Sequence, residues 1–484
     1  MNFVGIDVGT SACKICAYNQ HGKLLVKKQS AYRVHSPHAQ WAEVDALEMK
    51  QTVLSVLKDV ASTLDTPLSG IAVSSQGEGV VALNEKMEAI SPIILSYDTR
   101  NQAEYEDFEQ CFGSRQLFEH SGQINSTAVT AAKIKWLAAH GYAGTKYCCV
   151  GDYINLCLCG EAITDYSLAA RTMLLNIHQL QWEKEYLDFL SITEEQLPLL
   201  GQAGRLQRRI SSETAQVTGI PESCILAAGG HDQACGLYGA CGSDPDAMYY
   251  SIGTTETLVC AMKAFRSELF QYGLPCYPHV EEHKYITLPG NYTGAVLLSW
   301  YKNTLYQTRQ IGNDSIYEEM ISHMSEVPSN LLVLPHFTIS GSPYNDTQPC
   351  GAILGLRLTS TRDEITRALL EGCSMEIALN LSLLQQLGIS SKELIASGTI
   401  TKYPNVMQLK SDVLNLPIRH YRKLDAAAMG AARLAAEACG VSTASWNRSA
   451  LYQDYTPNAE RAAFYQRQMR RYEKLYPAVK SIMK

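Results

Sequence analysis

Along the first thirty residues, apolar runs broken by short polar clusters predict strands joined by tight turns. The run Phe3 to Val8 stops at Gly9-Thr10, a second run spans Lys14 to Tyr18, and a third strand starts at Lys23 after the turn Asn19-Gln20-His21-Gly22. This pattern is a β-meander. After Trp41 the sequence predicts a helix: Asp45 and Glu48 have capping-box spacing, Val44 and Met49 that of a hydrophobic staple, and Leu47, Leu54 and Leu57 supply an apolar side. Buried strands follow at Ile71 to Ser74, Gly79 to Leu83 and Ile93 to Leu95, the last two separated by an Asn84-Glu85 turn. Strands and helices mixed in this way predict an α/β fold.

The pattern then repeats. Past a run of Gly, Cys, Ser, Asp and Pro between Gly239 and Asp246, the segment Tyr249 to Val259 again reads strand, Gly-Thr turn, strand. A second likeness links Ile225 to Gly230 with Leu394 to Gly398, each an apolar strand closed by small residues ahead of a helix. Together these predict two lobes of related design, residues 1–245 and 246–484.

Composition narrows the function classes. In 484 residues, 46% are hydrophobic and 18% charged, enough apolar surface for more than one core. A net charge of −7 with no run of like charges gives nucleic acid nothing to bind. No apolar run approaches the roughly 18 residues that span a bilayer. Met1 to Thr10 lacks the basic and apolar regions of a secretory signal, so the expectation is a cytoplasmic protein without a membrane partner. The fifteen cysteines fall in apolar stretches such as Cys148-Cys149-Val150 and read as reduced core residues. Cys13 and Cys16 form a CxxC, but no second pair stands at zinc spacing, and packing is the reading.

Five segments offer chemistry. Gly5 to Ser11 puts small residues and hydroxyls at a hairpin tip, where backbone N–H groups can surround phosphate oxygens. Lys14 adds positive charge, and Asp7 at the strand end is a carboxylate for Mg²⁺. An ordinary hairpin with Asp7 bonding the turn would explain one such segment alone. Its return at Gly253-Thr254-Thr255 favours two hairpins facing a cleft, which suits a nucleoside triphosphate. Asp232, within Gly229-Gly230-His231-Asp232-Gln233, falls at the carboxyl end of a strand, either as a ligand-facing carboxylate or as a helix N-cap. His231 reads as a packed or hydrogen-bonding histidine. Gln76 with Glu78, and Asp98 with Arg100, lie beyond strand ends, where groups of both signs either bracket a polyhydroxylated ligand or form surface turns.

Taken in order, these residues resemble the FGGY family of carbohydrate kinases, which includes xylulokinases, gluconate kinases, fuculokinases and glycerol kinases. The likeness runs through Asp7 to Lys14, Gln76 with Glu78, Asp98 with Arg100, Lys135-Trp136-Leu137, Asp152-Tyr153, Gly160-Glu161 and Thr164 to Ser167. It resumes at Gly229 to Gln233, Gly253-Thr254-Thr255, Arg367-Ala368, Glu371-Gly372, Ser397-Gly398 and Asp425 to Ala432. The resemblance implies a two-lobed, actin-like (ribonuclease H-type) α/β fold with a central cleft. It also implies ATP-dependent phosphorylation of a small sugar, ketose or polyol, a ketopentose such as xylulose first, with Mg²⁺. On that likeness Asp232 is the catalytic base and Asp7 the carboxylate near the metal. Thr10, Ser11, Lys14, Thr254, Thr255 and Gly398 bind the nucleotide, and Gln76, Glu78, Asp98 and Arg100 bind the sugar. A homodimer is left open. Three departures stand out: Thr399 and Ile400 replace glycines common after the strand at Ile395, where they could crowd the adenine site, and are expected to loosen its demands rather than block it, so that ATP remains a donor. Ser96-Tyr97 stands where a tryptophan is common, and Gly77 lacks the long side chain that many relatives carry. The rival classes are a non-catalytic sugar or nucleotide sensor that keeps the fold, and an actin-like ATPase acting on protein partners.

Overall fold

The computed structural model describes residues 1–306, 313–348, 350–446 and 451–483. Two sheets built on one plan form its centre. The first contains β1 (Asn2–Val8), β2 (Ala12–Asn19), β3 (Leu24–Ala31), β4 (Leu68–Ser75), β5 (Gln207–Arg209) and β6 (Ile225–His231), in the order β5-β6-β4-β1-β2-β3. The second contains β7 (Ala247–Ile252), β8 (Glu256–Met262), β9 (Tyr285–Thr287), β10 (Glu393–Ser397), β11 (Ile418–Tyr421) and β12 (Tyr452–Tyr455), in the order β12-β11-β10-β7-β8-β9. In both, an antiparallel meander of three strands is followed by two strands parallel to its first member and an antiparallel edge strand. This is the two-lobed, actin-like α/β plan.

Position in the sheet matches β1 with β7 and β2 with β8, so the two Gly-Thr hairpins occupy equivalent places. The second likeness read from the sequence fails. Ile225 to Gly230 lies in β6, whose counterpart is β11, while Leu394 to Ser397 lies in β10, the counterpart of β4. The reason is physical: a parallel strand buried on both faces reads as a continuous apolar run wherever it sits, so its sequence does not give its place.

Helix α1 (Ala46–Thr63) begins as predicted, with the Asp45 carboxylate accepting from the Glu48 N–H at 2.8 Å. The box is only half made, because the Glu48 carboxylate accepts from the Arg33 N–H at 3.0 Å instead. The buried stripe is Ala46, Met49, Val53, Val56, Leu57 and Val60, and Leu47 is 58% exposed, so the apolar face is rotated away from the one expected.

Four further helices are α2 (Tyr166–Ala170), α3 (Asp232–Cys241), α4 (Pro404–Leu414) and α5 (Ala426–Ala438), of which α3 and α5 begin at the cavity described below. Although α5 comes late in the chain, it packs against α3, β1 and β4 of the first lobe. The approach is backbone to backbone. A Cβ on Gly239 would stand 1.9 Å from the Ala426 carbonyl oxygen, one on Gly430 would stand 1.9 Å from that of Cys235, and one on Gly5 would stand 1.8 Å from that of Ala428. Among the described residues, no helix is long and apolar enough to cross a membrane.

Candidate active site

A cavity of about 480 Å³ is lined from both lobes, by Asp7 and Lys14 of the first hairpin, Gly253 of the second, Gly398 after β10, and Asp232 and Asp425 at the starts of α3 and α5. The register of β2 and β3 pairs Lys14 with Gln29 and Cys16 with Lys27, so Lys14, Lys27 and Gln29 share one face and reach the cavity together. The Lys14 ammonium lies 3.1 Å from Asp7 and 3.3 Å from Asp425, and Lys27 lies 3.2 Å from Asp425. Burial raises the Asp7 carboxyl above its usual range, opposed by Lys14 and reinforced by Asp425. For Asp425 burial acts the same way, but Lys14 and Lys27 outweigh it and hold the carboxyl low. Burial disfavours the charge on Lys14, yet its two carboxylate neighbours keep it firmly protonated. Lys27 was missed in the sequence; its only signal there is its alternation with Gln29 on a predicted strand.

Each hairpin turn closes on its glycine, the Gly9 N–H donating to the Ala12 carbonyl at 3.0 Å and the Gly253 N–H to the Thr255 carbonyl at 2.8 Å, the second turn being one residue shorter. Thr10 is half-buried and Ser11, Thr254 and Thr255 are exposed at the tips. Gly398 has φ +134°, and a Cβ there would stand 1.8 Å from the Ile252 carbonyl oxygen, so only glycine lets β10 end against the second hairpin. Thr399 lines the cavity, but Ile400 turns into the core at 6% exposure. Thr399 begins the short 3₁₀ turn Thr399–Lys402, and Ile400, its second residue, is turned inward, so of the two only Thr399 reaches the cavity.

Asp232 opens α3 directly after β6, whose pairing with β4 slips between Ala227 and Gly230. The Gly229-Gly230 pair makes that slip feasible, because a Cβ on Gly229 would stand 2.0 Å from the Val73 carbonyl oxygen. The N-cap is His231, so Asp232 sits in the first turn with its carboxylate free for other work. Burial, then repulsion by Asp7 and Glu78, pushes that carboxyl up to about 7, against the pull of Arg171 and a hydrogen bond from Gln233. His231 is held neutral by burial and by Arg171. Its Nδ1 is hydrogen-bonded to the Tyr277 hydroxyl at 2.8 Å, and its Nε2 lies 3.2 Å from Asp232 Oδ1.

Beyond β4, the Gln76 amide donates to the Gly9 carbonyl at 3.3 Å, tying this loop to the first hairpin. Glu78 adopts φ +60°, and its carboxylate pairs with Arg171, the residue that follows α2. Arg171 also donates to Gln123 Oε1 at 2.6 Å and stacks 5.1 Å over the Tyr277 ring. Sequence reading found none of Arg171, Gln123 or Tyr277; a lone arginine closing the buried stretch Ser167 to Ala170 was the available signal.

Asp98 and Arg100 are placed differently from the expectation. Asp98 is fully buried, and its carboxylate accepts from the Ala42 N–H at 2.6 Å, the Arg100 N–H at 2.9 Å and the Arg100 guanidinium at 2.7 Å. Arg100 also reaches Glu43 at 2.7 Å and lies 3.9 Å over the Trp41 ring. The pair is a closed buttress that satisfies itself, whereas Glu78 acts on Asp232 and Gln76 is tied to the first hairpin.

The chain is 26% identical over 444 residues to the xylulose kinase of Staphylococcus xylosus, covering 90% of each. It is 26% identical over 468 residues to the glycerol kinase of Lactococcus lactis subsp. lactis, again covering 90% of each. Its structure is similar to that of a xyloylose kinase from Brucella ovis, with a TM-score of 0.90 and 25% identity over the whole of both chains. It has a TM-score of 0.89 to a gluconate kinase from Lactobacillus acidophilus at 24% identity, covering 99% and 98% of the two chains. Residues 2–239 match the family model for the N-terminal domain, and residues 248–439 that for the C-terminal domain, of the FGGY family of carbohydrate kinases. The chain therefore belongs to the FGGY family of carbohydrate kinases and is a phosphotransferase.

Proposed function

We propose that this kinase transfers the γ-phosphoryl group of ATP to a hydroxyl of a small open-chain ketose or polyol, with a ketopentose such as xylulose as first choice. One observation carries the reading. A single cavity is lined by Asp232, by Asp7 and Lys14 on the strands of the first hairpin, by Lys27 on β3 and by Gly253 in the turn of the second hairpin, an arrangement that suits positioning a triphosphate against a hydroxyl. The names of the relatives point the same way.

Phosphoryl transfer passes through a loose transition state, so the protein's work is placement and charge neutralisation. Asp232 takes the proton of the attacking hydroxyl and orients its oxygen. With a carboxyl near 7, it is a base matched to neutral pH. His231 keeps the carboxylate turned toward the cleft, and Tyr277 fixes His231. Lys14 and Lys27 meet phosphate oxygens, held at the cavity wall by Asp425 until nucleotide arrives. The hydroxyls of Thr10, Ser11, Thr254 and Thr255, with the backbone at Gly253 and Gly398, complete the phosphate contacts. The oxygen donors facing the cavity, Asp7 and Asp232, suit Mg²⁺, a hard cation that binds through one or two carboxylates plus substrate phosphates. When bound, Mg²⁺ neutralises phosphate charge, and Asp7 would hold it. Among the described residues, no cluster of three or more His, Cys, Asp or Glu could hold a metal ion by itself.

The test is ADP release from ATP and Mg²⁺ against a panel of ketoses, polyols and sugar acids. Turnover with at least one of them, absent without Mg²⁺, is the expected result. Sugar binding without turnover would favour the sensor, and ATP hydrolysis indifferent to every sugar would favour an ATPase acting on proteins.

A further inference from the structure

Gly77 stands in the loop between Gln76 and Glu78, and what fills the space beside it is a guanidinium. A Cβ on Gly77 would meet Arg171 Cγ at 3.0 Å, Arg171 Nε at 3.1 Å and His231 Cδ2 at 3.1 Å. Arg171 thus comes from the end of α2 to lie across Gly77, between Glu78 and the histidine that flanks Asp232. Its hydrogen bonding is incomplete: Nη2 pairs with Glu78 and Nη1 with Gln123, but Nε is buried with no partner among the described residues. The same is true of Gln123 Nε2, Gln76 Oε1 and Gln233 Oε1. Buried polar atoms without partners are rare, and a group of them beside Asp232 marks where a ligand's own polar atoms belong.

We propose that Arg171 and Glu78 form the specificity clamp of the acceptor site, and that the clamp selects a neutral acceptor with adjacent hydroxyls over a sugar acid. The inference rests on the kinase reading above. Each hydroxyl of a vicinal pair both donates and accepts, and the clamp offers both partners: the Glu78 carboxylate accepts, while Arg171 Nε and Gln123 Nε2 donate.

The charges around the site decide against a carboxylate-bearing acceptor. Asp232, Glu78 and Asp7 bring three carboxyl groups to this region. Arg171 is already paired with Glu78, and Lys14 with Asp7 and Asp425. Lys133, fully buried behind Glu78, donates to the carbonyls of Glu78, Ser96 and Ala128, and burial lowers its pKa to about 8. His231 is neutral, and Tyr277, which faces the clamp from the second lobe, keeps its proton because burial raises its pKa. An anionic acceptor would have to break the Arg171–Glu78 pair to find a cation; a neutral polyol leaves it intact.

The experiment is steady-state kinetics of the full chain, by coupled ADP release, with xylulose, ribulose, xylitol, glycerol and gluconate. For the wild-type protein, a neutral acceptor should exceed gluconate in kcat/KM by about tenfold or more, the scale set by one charge-assisted hydrogen bond. Arg171→Lys keeps the charge but loses the fork, and Gly77→Ala keeps the ion pair but pushes the guanidinium aside. Each should raise the acceptor KM by about tenfold or more while the ATP KM stays within about twofold. An unchanged ATP KM also shows that each variant is folded. Preference for gluconate, or a wild-type acceptor KM in both variants, overturns the clamp while the kinase reading survives. No ADP release with any acceptor overturns both.

Discussion

Asp232 shows how one side chain ties function to stability. Asp232→Asn keeps the shape but cannot take a proton, so turnover should fall by about 10²- to 10⁴-fold while ATP affinity, measured by titration, changes little. In the wild-type protein, kcat/KM for the acceptor should fall about tenfold per pH unit below about 7, as Asp232 becomes protonated in the free enzyme. The same shift has a cost. A carboxyl raised from 3.8 to about 7 contributes stability that is complete below its unfolded value and is lost as pH rises through about 7. Asp232→Asn should therefore be more stable than wild type at pH 8 and not at pH 4, by about 1–2 kcal/mol in denaturant unfolding, a figure reduced for solvent screening. The side chain is 28% exposed, so solvent screens part of the energy that the shift would otherwise contribute. Asp232, Asp7 and Lys14 were legible in the sequence because each sits at a fixed offset from a strand end or a Gly-Thr turn. Arg171 was not, since its role depends on where a long side chain reaches after α2 has packed, and no local spacing encodes that.

At the scale of elements, the loop after a strand proved harder to read than the strand. Gln76-Gly77-Glu78 and Asp98-Thr99-Arg100 look alike in sequence, polar residues of both signs past a buried run, yet only the first stands with Asp232. The second closes on itself because Arg100 can loop back to Asp98 and stack on Trp41. Asp98→Ala should accordingly act on stability, costing about 3–5 kcal/mol in urea unfolding by stranding a buried guanidinium, with little change in acceptor KM for the protein that remains folded. A large KM change at wild-type stability would return Asp98 to the sugar. The hairpins, by contrast, were legible as elements, since a Gly-Thr turn between two apolar runs has few other readings. They should act as a pair on one nucleotide. Thr10→Val and Thr254→Val should each weaken ATP binding by about 1.5–3 kcal/mol, and the double variant should be non-additive in calorimetric titration. Additive effects would place the two hairpins on separate ligands.

At the scale of the whole molecule, the duplication was visible in the sequence only as two hairpins, whereas the structure extends it to six matched strands in each sheet. Parallel buried strands carry no mark of their order, which is why the match of Ile225 to Gly230 with Leu394 to Gly398 came out wrong. The contact that joins the lobes was equally hidden. Helix α3 carries Asp232 at its first residue and α5 carries Asp425 at its N-cap, and both helix starts open on the same cavity. What sets their spacing is backbone contact at Gly239 with Ala426 and at Gly430 with Cys235, where no Cβ fits. Gly430 is therefore a geometric control on the active site, although it makes no contact with the cavity. Gly430→Ala would place a methyl 1.9 Å from the Cys235 carbonyl oxygen, a backbone atom that cannot turn aside, so the helices must separate. Helix propensity alone favours alanine over glycine by about 1 kcal/mol, so an ordinary helical glycine would gain stability from this change. Here the expected result has the opposite sign: a loss of about 1–3 kcal/mol from overpacking, read as a lower Tm, accompanied by a fall in kcat as Asp232 and Asp425 move apart. A Tm equal to or above that of the wild type, with kcat unchanged, would show that the crossing of α3 and α5 does not fix the distance between the two halves of the site.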